Sequence, residues 1–145
     1  MLRDGVILLV EDNPDDELLA HRAFSKHQLE HKVITVRDGQ EALDYLFRAG
    51  DFRQRSLLDE PVLILLDLNL PKVNGHEVLR RFREKVRTCP VVMLSTSNEQ
   101  ADITASYQLG ANSFVRKPVD FADFAQSLGD VLSYWLDTNL TPSGG

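Results

Sequence analysis

Five short apolar runs recur along the chain, at residues 6–10, 32–36, 63–68, 91–94 and 114–116. Each is shorter than an ordinary helix and most are built of Val, Ile and Leu, so each predicts a β-strand. The first, third and fourth are apolar at nearly every position, the pattern of a strand covered on both faces. Between the runs the apolar spacing lengthens to three and four. Leu19, Ala20, Ala23 and Phe24 fall on one helical face, as do Ala42, Leu43, Leu46 and Phe47, and after Gly75 so do Val78, Leu79 and Phe82. Ile103, Tyr107 and Gly110 mark a weaker fourth helix, and Phe121, Phe124, Ala125, Leu128, Val131, Leu132, Trp135 and Leu136 define a long fifth. Strand and helix thus alternate five times, which predicts a right-handed, doubly wound α/β domain with a parallel sheet. Two segments are longer than usual connections. Residues 50–60 form a polar link into the third strand, and residues 139–145, ending in Thr-Pro-Ser-Gly-Gly, are expected to be a disordered tail behind a single domain of residues 1–138.

Composition changes this picture little. A chain of 145 residues with 43% hydrophobic side chains can bury one core. Its net charge of -6 argues against general binding to nucleic acid. No apolar stretch approaches the roughly 18 to 20 residues that cross a membrane. The first run is too short for a signal core and meets Glu11-Asp12 at once. A cytoplasmic protein without membrane contact is expected. The lone Cys89 has no disulfide partner in the chain and is expected as a buried free thiol.

The chemistry gathers at one end of the expected sheet. In open α/β sheets ligands sit beyond the carboxyl ends of the strands. There the first run delivers Glu11-Asp12, the third Asp67, the fourth Ser95-Thr96 and the fifth Lys117-Pro118. Three acids crowded together call for a cation, and hard oxygen donors of this kind suit Mg²⁺. A carboxylate can attack phosphorus and form an aspartyl-phosphate. Mg²⁺ and Lys117 would then stabilise the spread charge of the transferring group, and Ser95 would donate to a phosphoryl oxygen. Each residue also has an ordinary reading. Glu11-Asp12-Asn13-Pro14 could end a strand and cap a helix, and Lys117 could be an exposed lysine. Asp67 resists such a reading, because an unpaired carboxylate after an apolar strand is costly.

As an ordered set, Glu11-Asp12, Asp67-Leu-Asn-Leu-Pro with Asn74-Gly75, Ser95-Thr96 and Phe114-Val-Arg-Lys117-Pro118 resemble the two-component response-regulator receiver family, over nearly the whole chain. The resemblance implies a flavodoxin-like (βα)5 fold with strand order 2-1-3-4-5. It implies phosphorylation of Asp67 by a histidine kinase, and a Mg²⁺ site (Mn²⁺ as an alternative) formed by Glu11, Asp12, Asp67 and the Asn69 carbonyl. It further implies contact of Lys117 with the acyl phosphate, a switch pair of Ser95 and Phe114, and a cis Lys117–Pro118 bond. The protein would be a phosphoacceptor rather than an enzyme with a separate substrate. The 50–60 link, the Leu94-Ser95-Thr96-Ser97 run and the tryptophan near the end look like the small regulators paired with phytochrome-type kinases, especially cyanobacterial ones.

Three rival classes remain at this stage. A phosphatase of the haloacid-dehalogenase type would need a second acid where Asn69 stands. A flavodoxin-like FMN carrier would need small hydroxyl and glycine residues in the first loop to cradle phosphate, and that loop reads Glu-Asp-Asn-Pro-Asp-Asp-Glu instead. A receiver-like interaction module that is never phosphorylated would have no need of all five polar residues. The apolar band of the fifth helix also exceeds one core-facing stripe. It predicts a homodimer through the fourth helix, fifth strand and fifth helix, unless the helix packs its whole band on its own core.

Overall fold

The computed structural model describes residues 5–142; the first residues and the last three of the expected tail lie outside the described part. Five strands, β1 (Val6–Val10), β2 (Lys32–Val36), β3 (Pro61–Asp67), β4 (Val91–Ser95) and β5 (Ser113–Arg116), form one parallel sheet in the order β2-β1-β3-β4-β5. Five helices alternate with them: α1 (Pro14–Lys26), α2 (Gly39–Phe47), α3 (Gly75–Lys85), α4 (Gln100–Gln108) and α5 (Phe121–Leu132).

The central strands feed two cores at once, which accounts for their unbroken apolarity. Leu8, Val10, Ile64, Leu66 and Met93 pack with Leu43, Val78, Leu79 and Phe82 of α2 and α3. Ile7, Leu9, Leu63, Leu65 and Leu94 pack on the opposite face with Phe24, Ala125 and Leu128 of α1 and α5. β1 and β3 stay paired through Val10 and Leu66, but α1 leaves β1 toward one face and α3 leaves β3 toward the other. The crevice lies between these two diverging connections, beyond the carboxyl ends of the strands.

Packing of α1 on α5 depends on an absent side chain. A Cβ at Gly129 would lie 2.3 Å from the His27 ring, whose Nε2 is held 2.8 Å from the Ala125 carbonyl. Gly129→Ala is therefore expected to break that contact and lower stability by about 1–3 kcal/mol, despite the better helix propensity of alanine. Urea denaturation followed by circular dichroism would measure it; an unchanged midpoint would show that the ring moves aside freely.

Three local expectations change. In α2 it is Tyr45 that is buried, at 2%, whereas Phe47 is 39% exposed. The 50–60 link causes this, since it folds back over α2 in two 3-10 turns, Gly50–Phe52 and Leu57–Asp59. The Tyr45 hydroxyl donates to the Asp59 carbonyl, Phe52 meets its ring edge-on, and the Arg55 guanidinium lies over its face. In α4 the core position is Ser106, fully buried, while Tyr107 is half exposed. A hydroxyl passes as core here because it donates to the Asp102 carbonyl and meets His76 Nε2 at 2.8 Å.

The third change concerns α5, which gives way to a π-helical turn, Ser133–Thr138, closed by the Asn139 N–H on the Tyr134 carbonyl. Phe124, Val131 and Leu132 are buried in the chain's own core, and Phe121, Trp135 and Leu136 pack against it. The inner part of the apolar band thus packs within one chain, while Phe121, Trp135 and Leu136 are only partly buried and Tyr134 is exposed. Cys89 is buried and forms no disulfide, as expected, with its Sγ 3.5 Å from the Pro61 carbonyl, and among the described residues no helix is long and apolar enough to cross a membrane.

Candidate phosphoacceptor and metal site

The crevice at the ends of β1 and β3 holds the residues singled out from the sequence. β1 runs directly into Glu11, 3% exposed, and the exposed Asp12. Asn13 then accepts hydrogen bonds from the Asp15 and Asp16 amides and caps α1, with Pro14 at the first helical position. Capping and acid clustering therefore fall to different residues of one short loop, and both readings of it hold. Asp67 is the last residue of β3 and only 8% exposed. The loop behind it is drawn tight: the Gly75 amide donates to the Leu68 carbonyl at 2.8 Å, and a Cβ on Gly75 would sit 2.3 Å from the Asp67 carbonyl. The Asn69 N–H donates to Asp67 Oδ1 at 3.4 Å.

Carboxylate oxygens of Glu11, Asp12 and Asp67 all lie within 4.8 Å of one another. Lys117, 8% exposed, follows β5 into the same space, its amide donating to the Ser95 carbonyl at 2.7 Å. Its Nζ lies 2.5 Å from Glu11 Oε1, 3.1 Å from Asp16 Oδ2 and 3.4 Å from Asp67 Oδ2. Burial pushes the Glu11 carboxyl up to about 7, with Asp67 adding to the rise and Lys117 opposing it. Burial would lower the Lys117 ammonium, but Glu11 and Asp67 outweigh it and hold the group above its ordinary value. Three carboxylates around one buried ammonium leave an excess of negative charge. A divalent cation held by hard oxygens relieves such an excess, so the donor set fits the metal expected from the sequence.

Ser95 is completely buried at the end of β4, and its Oγ accepts from the Ser97 amide at 3.1 Å. Ser97 Oγ in turn donates to Asp102 Oδ2 at 2.6 Å, tying this loop to the first turn of α4. Phe114 is half buried against the core on the α3 side of the sheet, and its N–H donates to the Tyr107 hydroxyl at 3.1 Å. Among these contacts Asp16 and Asp102 were not singled out from the sequence, and Ser97 and Tyr107 were read there only as part of a local run and of a helix, not as site residues. An acid in the first turn of α1 reads as an ordinary helix-dipole partner, and nothing local tells that it reaches a lysine 101 positions away. One expectation is corrected. No cis peptide occurs among the described residues, so Lys117–Pro118 is trans, the form that X–Pro bonds favour intrinsically.

A doubly wound five-stranded sheet with an aspartate, two further acids, a serine and a lysine at its carboxyl edge defines a phosphoacceptor class, and comparison with known families agrees. The chain belongs to the response regulator receiver domain family, whose model matches residues 7–129. It is 42% identical over 139 residues to the probable methanogenesis regulatory protein FilR2 of Methanothrix harundinacea, covering 94% of this chain and 87% of that one. It is 36% identical to the response regulator Rcp1 of Synechocystis, covering 95% and 93%. The Mn²⁺-bound form of Rcp1 superposes with a TM-score of 0.86 over 96% of this chain and 99% of that one. The phosphorylated cyanobacterial phytochrome response regulator RcpA gives a TM-score of 0.89 at 40% identity, covering 97% and 100%.

Proposed function

We propose that Asp67 accepts a phosphoryl group from the phosphohistidine of a kinase, with Mg²⁺ held by Glu11, Asp12, Asp67 and the Asn69 carbonyl. The observation that carries this reading is the buried Asp67 carboxylate at the strand end, flanked by Glu11 and Asp12 within 4.8 Å and by the Lys117 ammonium. One Asp67 oxygen forms the O–P bond as the donor's N–P bond breaks, and the electron pair returns to the imidazole nitrogen, which takes up a proton. The metal, when bound, neutralises charge on the carboxylates and on the incoming phosphoryl oxygens. Lys117 balances charge on a second phosphoryl oxygen, and Ser95 donates to a third. The test is label transfer from autophosphorylated kinases with and without Mg²⁺. A metal-dependent, hydroxylamine-labile label on this chain supports the proposal, and no label from any kinase argues for an interaction module instead.

The phosphodonor we propose is a phytochrome-type histidine kinase, on the strength of the likeness to RcpA and Rcp1. A kinase panel containing such a photoreceptor and unrelated sensors would decide it by relative transfer rate. The cytoplasm is the proposed site of this exchange, and partners other than nucleic acid are proposed from the negative charge.

Output is proposed to pass through Ser95 and Phe114. Movement of Ser95 toward the phosphate frees the Ser97 amide that Ser95 now holds. It thereby alters the Ser97–Asp102 link to α4, a shift between two packed arrangements. Ser95→Ala is expected to slow phosphoryl acceptance without abolishing it, yet lose the change in the Phe114 amide resonance that phosphorylation produces in the parent. Equal resonance changes in both proteins would remove Ser95 from the coupling. Pairing of two copies through α4, β5 and α5 is retained as a proposal resting on the half-exposed Tyr107 beside Phe114. Sedimentation of phosphorylated parent and Phe121→Asp tests it, and a monomer at high concentration in both would reject it.

A further inference from the structure

Lys117 has three hydrogen-bond donors on its ammonium and three carboxylates around it, but the three are not equivalent. Glu11 and Asp67 belong to the acid trio that would hold a divalent cation, whereas Asp16 lies outside it. A dication drawing on Glu11 and Asp67 competes with the ammonium for the same oxygens and repels it as well. The lysine side chain is only 7% exposed, so the displaced charge cannot simply enter water. Among the described residues Asp16 is the one remaining carboxylate within ion-pair distance of Nζ. Its backbone is fixed by the Asn13 cap, and its side chain is 31% exposed, solvated on one side and facing Lys117 on the other.

We infer that Asp16 is a positioning residue that receives the Lys117 ammonium when the cation takes Glu11 and Asp67. Lys117 thereby shifts toward α1 without leaving the crevice. The metal enters without stranding a buried unpaired charge, which would be strongly unfavourable, and the ammonium stays within reach of an arriving phosphoryl group. This rests on the divalent-cation reading of the acid trio. A purely structural Asp16, or one acting only through its negative field on the metal, would not depend on Lys117.

A double-mutant cycle on Mg²⁺ affinity separates these roles, measured by calorimetry on the parent, Asp16→Asn, Lys117→Met and the double variant. Asp16→Asn is expected to weaken Mg²⁺ binding roughly five- to tenfold in the parent background, within the usual range for directly coupled neighbours, and less than about twofold beside Lys117→Met. Equal weakening in both backgrounds, or none in the parent, would overturn the inference while leaving the metal site intact. Failure of the parent to bind Mg²⁺ would overturn the metal site and the inference together. Circular dichroism melts confirm folding of each variant. Should Lys117→Met not fold, the ¹⁵Nζ resonance of Lys117 decides instead. With Mg²⁺ added it should persist in the parent and in Asp16→Glu and broaden away in Asp16→Asn, and persistence in all three would refute the role.

Discussion

Asp67→Asn is expected to reduce phosphoryl acceptance to background while leaving the fold in place. The amide has nearly the shape of the carboxylate, so the Asn69 N–H contact and the close Gly75–Asp67 approach survive. What disappears is the nucleophile, because the amide nitrogen's lone pair is delocalised and its oxygen carries no full charge. The substitution also removes a charge that belongs both to the trio around Lys117 and to the trio that would hold the cation, so Mg²⁺ binding should weaken as well. The assay is transfer of radiolabel from an autophosphorylated kinase, with mass-spectrometric mapping of any residual label. Full labelling of Asp67→Asn, with no label at Glu11 or Asp12, would show that the phosphate goes elsewhere.

Lys117→Met should have effects of opposite sign on two quantities. Without metal the variant loses the one cation bonded to Glu11 and Asp67 among the described residues, and both acids are largely buried. Removing one member of a buried ionic cluster costs about 3–5 kcal/mol, so thermal and urea stability of the metal-free protein should fall sharply. Mg²⁺ affinity should rise, because the ammonium no longer competes for Glu11 and Asp67. Added Mg²⁺ should therefore restore much of the lost stability, and more than it adds to the parent. Phosphoryl transfer should nonetheless slow by on the order of 10²-fold, the usual loss when one preorganised donor to a developing anion is removed. Unchanged metal-free stability together with unchanged Mg²⁺ affinity would mean that Lys117 is not the counter-charge the geometry makes it.

The class of fold was legible from the sequence because it follows from period alone. Runs such as Val6–Val10 and Val91–Ser95 can be satisfied only by a sheet covered on both faces, and the two cores cover them in this way. The acid loop, Asp67, Ser95 and Lys117 were legible for a related reason. Polar residues that end apolar strands are carried by the parallel topology to one edge, wherever they fall in the chain. Strand order and the switch pair came from family likeness, not from the pattern itself. Tertiary structure alone decided which of two aromatics, separated by one residue on α2, is buried. Tyr45 is chosen over Phe47 because the 50–60 link supplies an acceptor for its hydroxyl and a guanidinium for its face. It alone decided which part of the band on α5 the chain's own core takes up, Phe124, Val131 and Leu132 fully and Phe121, Trp135 and Leu136 only partly, since helical spacing gives the width of a stripe but not the width of the surface opposite it. And it alone brought Asp16 to Lys117, because an ion pair across 101 residues has no local signature and exists only once α1 and β5 share the same end of the sheet.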